Sequence, residues 1–187
     1  GDTLTYSISG SEISIDSATG VMSFVAAPDY ETKPSDSATV TVSDGENSST
    51  QEITITSVNL NDNEPIFESS STFSANENQT AIGTASATDA DGDTLTYSIS
   101  GSEISIDSAT GVMSFVAAPD YETKTAYEAT LTVSDSSFSS TENISITIND
   151  LNDNNPEFIS SSTFSAPEEE IFIGIELICS PVISSII

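Results

Sequence analysis

The sequence predicts an all-β protein built from tandem Greek-key β-sandwiches of about seven strands each. Three observations favour this fold class. Apolar and polar residues alternate with a period of two, Gly, Asn and Asp separate the alternating runs at short intervals, and a long segment of the chain repeats itself. Alternation with frequent turn residues is typical of short antiparallel strands. The repetition indicates several such domains in a string.

The alternation is clearest in the second half of the chain. Leu95, Tyr97 and Ile99 alternate with Thr and Ser, and two later runs follow the same pattern, Ala129–Leu131–Val133 and Ile144–Ile146–Ile148. This pattern predicts half-buried strands with one face toward a core and the other toward water. Gly101 and Gly111 interrupt the runs as turn residues would. No segment has the period of an amphipathic helix.

The internal repeat defines the domains. Residues 1–33 recur without a change at residues 92–124, an offset of 91 residues, and the same offset aligns NLNDNEP at 59–65 with DLNDNNP at 150–156. This period is long for a solenoid and suits a string of small domains. We expect three copies: the C-terminal part of repeat 1 at residues 1–64, a complete repeat 2 at 65–155, and the truncated or aberrant N-terminal start of repeat 3 at 156–187.

The charge balance excludes several kinds of partner. The 187 residues include 30 acidic side chains and two basic ones, Lys33 and Lys124, which gives a formal net charge of −28. Nucleic acids and anionic membranes are polyanions and would be repelled. Intrinsic disorder is the alternative explanation of such a charge, but 36% of the residues are hydrophobic and they are regularly spaced. A folded chain with many unneutralised carboxylates is therefore predicted.

The last segment, residues 171–187, departs from the repeat after Gly174. It is apolar but contains Glu176 and Pro181, and it is shorter than the about 20 residues of a membrane-spanning helix. A truncated or corrupted strand is the favoured interpretation, with a membrane anchor or a misread terminus as alternatives. The only thiol of the chain, Cys179, lies in this segment, so no intrachain disulfide is possible.

Acidic residues cluster where strands are predicted to end, at residues 89–93, 120–122 and 150–154. Residues i and i+2 of an extended backbone point to the same side, so each cluster presents paired oxygens. Ca²⁺ takes six to eight oxygen ligands, and the chain has no His to favour a softer metal. Capping of turns by Asp and Asn is the alternative for any single cluster. Because the clusters recur at one offset, calcium binding is the favoured interpretation.

These motifs resemble tandem cadherin repeats, which occur in large bacterial surface proteins as well as in animal adhesion receptors. The resemblance rests on an AxDxDG element at residues 87–92, a DxE element at 120–122 and a DxNDNxP linker at 150–156. Their order and the repeat length also match, and the resemblance extends nearly to Gly174. It implies a seven-stranded, immunoglobulin-like sandwich, with calcium held between successive repeats by ligands from both repeats and their linker.

The resemblance also implies which residues bind calcium. The ligands expected at the first junction are Asp29, Glu31, Asn61, Asp62, Asn63 (through its carbonyl), Asp89, Asp91 and Asp135. Those expected at the second junction are Glu77, Asp120, Glu122, Asp150, Asn152, Asp153 and Asn154.

Both junctions depart from the family pattern. Asn59 stands where the first linker would have Asp, although Asp150 keeps the acid in the second linker. Repeat 1 lacks a counterpart of Glu77, and residues 178–182 replace the acidic pair expected in repeat 3. We therefore expect fewer tightly held ions than in an intact array.

The function expected from these features is that of a calcium-dependent cell-adhesion or surface-stalk module, extracellular or at the cell surface. Its partners would be calcium, adjacent repeats of the same chain, and a surface protein or glycan of another cell. A calcium-indifferent spacer is the first alternative, and a carbohydrate-binding or hydrolytic module is the second. An enzyme is not expected, because the chain lacks His, has no nucleophile-elbow motif and has its lone Cys in the aberrant tail.

Overall fold

The computed structural model describes residues 3–160 together with 162, 163, 165, 168 and 178. Every regular element among them is a β-strand, which confirms the all-β prediction. No helix suited to crossing a membrane is found in this described part of the chain. The expectations for the apolar segment 171–187 and for Cys179 lie outside the described residues.

Repeat 1 contributes five strands: β1 (Thr5–Ile8), β2 (Ile13–Ile15), β3 (Met22–Phe24), β4 (Ser35–Ser43) and β5 (Ser48–Thr56). Strands β4 and β5 form a long antiparallel hairpin, and β1 pairs with the free edge of β4, which gives the order β1-β4-β5. Strands β2 and β3 form a second, separate antiparallel pair. The described strands of repeat 1 thus form two sheets, β1-β4-β5 and β2-β3.

Repeat 2 contains nine strands: β6 (Ile66–Phe67), β7 (Thr72–Asn76), β8 (Ala81–Thr84), β9 (Ala87–Thr88), β10 (Thr96–Ile99), β11 (Ile104–Ile106), β12 (Val112–Phe115), β13 (Ala126–Ser134) and β14 (Ser139–Asn149). One sheet has the order β10-β13-β14-β7, with β7 parallel to β14. The others are β11-β12-β8 and the short pair β6-β9.

The excess over seven strands comes from two interrupted strands. β6 and β7 are consecutive but join different sheets, and so do β8 and β9. Counting each of these pairs as one broken strand restores seven. Neither interruption, at residues 68–71 and 85–86, contains Pro or Gly; three consecutive Ser residues at 69–71 are a loop signal for the first, whereas Ala85-Ser86 offers none for the second.

The core of repeat 2 lies where the alternation predicts it. Leu131 and Val133 are fully buried on β13, and Ile144, Ile146 and Ile148 are at most 2% exposed on β14. Met113 and Phe115 of β12 pack into the same cluster from the other sheet. Successive side chains point to opposite faces of a strand, so these positions alternate with more exposed ones.

The described contacts divide the chain into two compact units. The first comprises Gly1–Ile66 with two loops from repeat 2, Thr88–Leu95 and Ser134–Ser140. The second comprises the remainder, including most strands of repeat 2. The loops that carry Asp91 and Asp135 therefore belong to the same unit as the linker at residues 57–65. The repeat boundaries at 64/65 and 155/156 stay predictions.

Candidate metal-binding sites

Two carboxylate clusters lie in the first unit. Oxygens of Glu31, Asp62 and Asp91 come within 4.8 Å of one another, and so do oxygens of Asp89, Asp91 and Asp93. Asp91 belongs to both, because it lies in the middle of the loop that follows β9. The loop turns at Gly92, whose φ of +79° is the left-handed conformation that Gly adopts at low cost. The turn allows three acids of one short segment to face the same space.

Asp91 also organises the linker. Its Oδ2 accepts hydrogen bonds from the backbone N–H groups of Asp62, at 3.0 Å, and Asn63, at 2.9 Å. Its Oδ1 accepts a bond from the Asn63 side-chain amide at 3.0 Å. The Asn59 side chain donates to the Asp91 carbonyl oxygen at 2.8 Å. One residue of the AxDxDG element thus fixes three residues of the linker.

Among the buried oxygens of the same unit that lack a hydrogen-bond partner, three belong to predicted ligands: Oδ1 of Asn61, Oδ2 of Asp89 and Oδ2 of Asp135. Asp135 is only 4% exposed, so its orphaned oxygen is also out of reach of bulk water. A buried charged oxygen without a partner is costly. All three atoms are hard oxygen donors, which is the chemistry that Ca²⁺ prefers. The residues present therefore fit a calcium ion.

The other carboxylate oxygens of this group hold the loops in place. Oδ1 of Asp135 accepts the backbone N–H groups of Ser137 and Phe138 at 2.7 and 2.8 Å. Oδ1 of Asp89 accepts the N–H of Asp93 at 3.2 Å. Each acid thus uses one oxygen to close a turn and leaves the second oxygen unpaired. This division of roles keeps the unpaired oxygens in fixed positions.

The acids of these clusters repel one another. Burial and the charges of Asp89, Asp91 and Asp135 raise the pKa of the Asp93 carboxyl. A backbone hydrogen bond lowers the pKa of the Glu31 carboxyl, but burial and the neighbouring Asp91 and Asp62 outweigh it, so that the net pKa is raised. A raised carboxyl pKa marks a place where negative charge is in excess and a cation would be favoured.

The second unit contains one further cluster, formed by Glu77, Glu122 and Asp153, with oxygens within 4.8 Å. Glu77 is only 1% exposed, and its two oxygens accept the backbone N–H groups of Tyr121, at 2.8 Å, and Leu151, at 2.7 Å. It therefore ties the DxE loop and the second linker to the end of β7. A backbone hydrogen bond lowers the pKa of the Glu122 carboxyl, but burial and repulsion by Glu77 and Asp153 raise it overall.

The structure brings together only part of the predicted ligand sets. Asp29, Asp120 and Asp135 lie in none of the described carboxylate clusters, and each caps its own turn. The Asp29 carboxylate accepts hydrogen bonds from Thr32, and that of Asp120 accepts one from the Thr123 hydroxyl at 3.0 Å. Asn154 donates its side-chain amide to Asp153. Asp150, in the second linker, is also outside the described carboxylate clusters, and Asn152 has no carboxylate to contribute to one. As calcium ligands all of these residues stay predictions.

Asp93 was absent from the predicted ligand set, although it clusters with Asp89 and Asp91. Its signal is present in the sequence, because it continues the i, i+2 alternation of Asp89 and Asp91 by one more step. The AxDxDG element ends at Gly92, so a motif-based assignment stops one residue too early.

The fold and these sites define a repeat protein made of immunoglobulin-like β-sandwiches with acidic ends. The chain belongs to the bacterial Ig domain family, whose model matches residues 61–164. The repeats are cadherin-like. Human cadherin EGF LAG seven-pass G-type receptor 2 is 32% identical over 171 residues, and human cadherin-23 is 31% identical over 175 residues. These matches cover 85% and 84% of this chain but only 6% and 5% of those proteins.

Solved structures agree with this classification. The protocadherin gammaB7 EC3-6 cis-dimer structure superimposes with a TM-score of 0.77 at 25% identity, covering 87% of this chain and 44% of that one. Mouse cadherin-23 EC22-24 gives a TM-score of 0.70 at 26% identity, covering 84% of this chain and 57% of that one. The resemblance to cadherin repeats seen in the sequence is thus confirmed at the level of the fold.

Proposed function

We propose that this chain is part of an extracellular adhesive stalk in which calcium, held by a linker and the two repeats that it joins, stiffens the rod. The whole protein would be a large surface adhesin of the bacterial kind. It would contact a surface protein or glycan of another cell, or hold a distal adhesive tip away from its own cell. The residues described here would act mechanically rather than catalytically.

The observation that carries the calcium proposal is the orphaned Oδ2 of Asp135, which is buried and makes no hydrogen bond. Two backbone N–H groups compensate the charge of this carboxylate through Oδ1 only, so its second, buried oxygen is still open to a cation. Unpaired oxygens of Asn61 and Asp89 in the same unit would complete a set of hard ligands. A passive spacer needs none of these buried oxygens, since exposed acids alone keep a chain soluble.

The mechanism follows from repulsion. Oxygens of Glu31, Asp62 and Asp91 lie within 4.8 Å of one another, and without a cation their repulsion opposes the hydrogen bonds that hold the linker to Asp91. These oxygens would hold a calcium ion, whose charge would offset the repulsion. The linker then has one preferred conformation. Stiffness of the stalk would thus depend on the extracellular calcium concentration.

The test is calorimetric titration of the 187-residue chain and two variants with CaCl₂, together with small-angle scattering in calcium and in chelator. Asp135→Asn removes the charge from the orphaned position while keeping an oxygen to close the turn. Asp44→Asn is the matched control, because Asp44 caps the equivalent turn of repeat 1 through Glu46 and Asn47 but has no buried oxygen without a hydrogen-bond partner.

We expect Asp135→Asn to weaken calcium binding roughly tenfold, since the charge count of the ligands sets affinity. Asp44→Asn should bind as the parent does. Calcium should increase the maximum particle dimension that scattering measures for the parent and for Asp44→Asn. Equal binding by the parent and Asp135→Asn, or an unchanged scattering profile, would contradict the proposal and favour the calcium-indifferent spacer. Binding or turnover of glycans would favour the carbohydrate-binding or hydrolytic alternative.

A further inference from the structure

Asn59 occupies the first position of the first linker, where the second linker has Asp150. Its side-chain Nδ2 donates a hydrogen bond to the carbonyl oxygen of Asp91 at 2.8 Å. A carboxylate has no proton to donate at neutral pH, so an Asp at this position could not make the bond. It would instead place a negative oxygen against the Asp91 carbonyl. The exchange of one amide for one acid therefore changes attraction into repulsion.

The Asn59 bond is one of four that join the linker to Asp91. The others come from the backbone N–H of Asp62 and from the backbone and side-chain amides of Asn63. Every partner in this set, which we call the linker latch, is a protein atom. The latch therefore needs no metal to form. Its four bonds span residues 59–63, so they restrain the linker at both ends of that segment.

We infer that the linker latch fastens the first linker to the residue 89–93 loop in the absence of calcium, and that Asn59 strengthens the latch where an Asp would weaken it. With Asp at this position the linker would keep the three bonds from residues 62 and 63, but it would lose the fourth and gain a repulsion that calcium would have to offset. The first linker with Asn59 is then less dependent on calcium than the same linker with Asp at this position. The first part of this inference stands on the hydrogen bonds alone, whereas the comparison of calcium dependence rests on the proposed function.

The experiment measures hydrogen exchange of the amides of Asp62 and Asn63 by NMR, in the whole chain, first in EGTA and then in 10 mM CaCl₂. Both amides donate to Asp91 in the latch, so their exchange rates report on it directly. Asn59→Ala removes the donor, and Asn59→Asp also adds the repelling charge. Asn143→Asp is the control, because the exposed Asn143 uses its Oδ1 as an acceptor from Thr130, a role that Asp can keep.

In EGTA we expect exchange of both amides to be about threefold to tenfold faster in Asn59→Ala, the factor of one ordinary hydrogen bond. Asn59→Asp should be faster still, and Asn143→Asp should match the parent. If both Asn59 variants exchange these amides in EGTA at the rates of the parent, the latch is overturned, independently of the result in calcium.

Calcium should slow exchange by a larger factor in Asn59→Asp than in the parent. An equal factor in both would overturn the comparison between Asn and Asp at position 59. If calcium changes no rate while the EGTA series behaves as expected, the latch stands and the proposed calcium function fails. The two ideas are thus tested separately.

Discussion

Gly111 and Ala85 face each other so closely that a side chain at Gly111 has no space. A Cβ added there would lie 2.2 Å from the carbonyl oxygen of Ala85, whose N–H donates to the Gly111 carbonyl at 2.9 Å. Gly111 also has a φ of +71°, a conformation that other residues adopt only with strain. Gly111 thus joins the turn before β12 to the interruption between β8 and β9.

Gly111→Ala should therefore destabilise repeat 2 by about 2 kcal/mol or more, since a left-handed Ala alone costs about 1–2 kcal/mol and the contact must also open. Gly101→Ala is the matched control, because Gly101 has a φ of +87° but open space around its missing side chain. Urea denaturation of both variants measures the difference. Equal destabilisation would show that the contact with Ala85 contributes nothing.

Alternation predicted the strands that build the core but not how the first strands of repeat 2 are interrupted. Leu131 and Ile146 have apolar neighbours at i±2, and burial of one face follows from that spacing alone. The exchange of β6 and β7 between sheets depends on tertiary pairing, because β7 lies parallel to a strand about 70 residues later. Such pairing has no local signature in the sequence.

For the site, the sequence could supply ligand types but not which oxygens stay unpaired. Asp29 and Asp135 look alike as motif acids, yet Thr32 satisfies the first while one oxygen of the second stays buried and alone. Glu77 was predicted as a ligand only, whereas both its oxygens also accept backbone N–H groups. These differences depend on loop conformation, which a one-dimensional pattern does not specify.

The turn at Asp107 should make the stability of repeat 2 depend on pH. Hydrogen bonds from the hydroxyl and backbone of Thr110, and from the backbone of Ala109, lower the pKa of the Asp107 carboxyl. A lowered folded-state pKa contributes stability above the unfolded-state pKa, and that stability is lost as pH falls through the folded-state value. The parent should thus exceed Asp107→Asn in stability at pH 7, with the difference shrinking below about pH 3.9.

Chemical denaturation of the parent and Asp107→Asn at pH 7 and pH 2.5 measures this difference. Glu46→Gln serves as the control, because it removes one negative charge from an exposed position of repeat 1. A difference between parent and Asp107→Asn that stays constant over this range would mean that the charge of Asp107 does not strengthen the turn.

Glu77 should stabilise repeat 2 even without a metal. Glu77→Gln replaces one acceptor oxygen with an NH₂ group that faces a backbone N–H of Tyr121 or Leu151, so one buried donor loses its partner. This should cost about 1–3 kcal/mol in chelator. Glu122→Gln is the matched control, since Glu122 is exposed and belongs to the same cluster. It should change stability in chelator by less than about 0.5 kcal/mol.

Thermal denaturation of both variants in EGTA and in calcium separates the two roles of Glu77. In calcium both variants should lose part of the stabilisation seen in the parent, because each removes one charge from the cluster. If Glu77→Gln melts at the parental temperature in EGTA, its hydrogen bonds to the backbone are not stabilising and only its predicted role as a ligand is left.

Calcium should raise the melting temperature of the chain more than magnesium does. A ligand that binds only the folded state stabilises it by RT ln(1 + [L]/Kd). Extracellular calcium modules have Kd values of about 10⁻⁴–10⁻³ M, so 10 mM calcium should contribute about 1.4–2.7 kcal/mol. Magnesium demands a tighter octahedral arrangement than the acidic loops described here impose, and it gives up its water reluctantly. Differential scanning calorimetry in EGTA, in 10 mM MgCl₂ and in 10 mM CaCl₂ measures the order. Identical melting curves in all three would remove the case for a calcium-stiffened stalk, and equal shifts by both ions would indicate screening of charge rather than coordination.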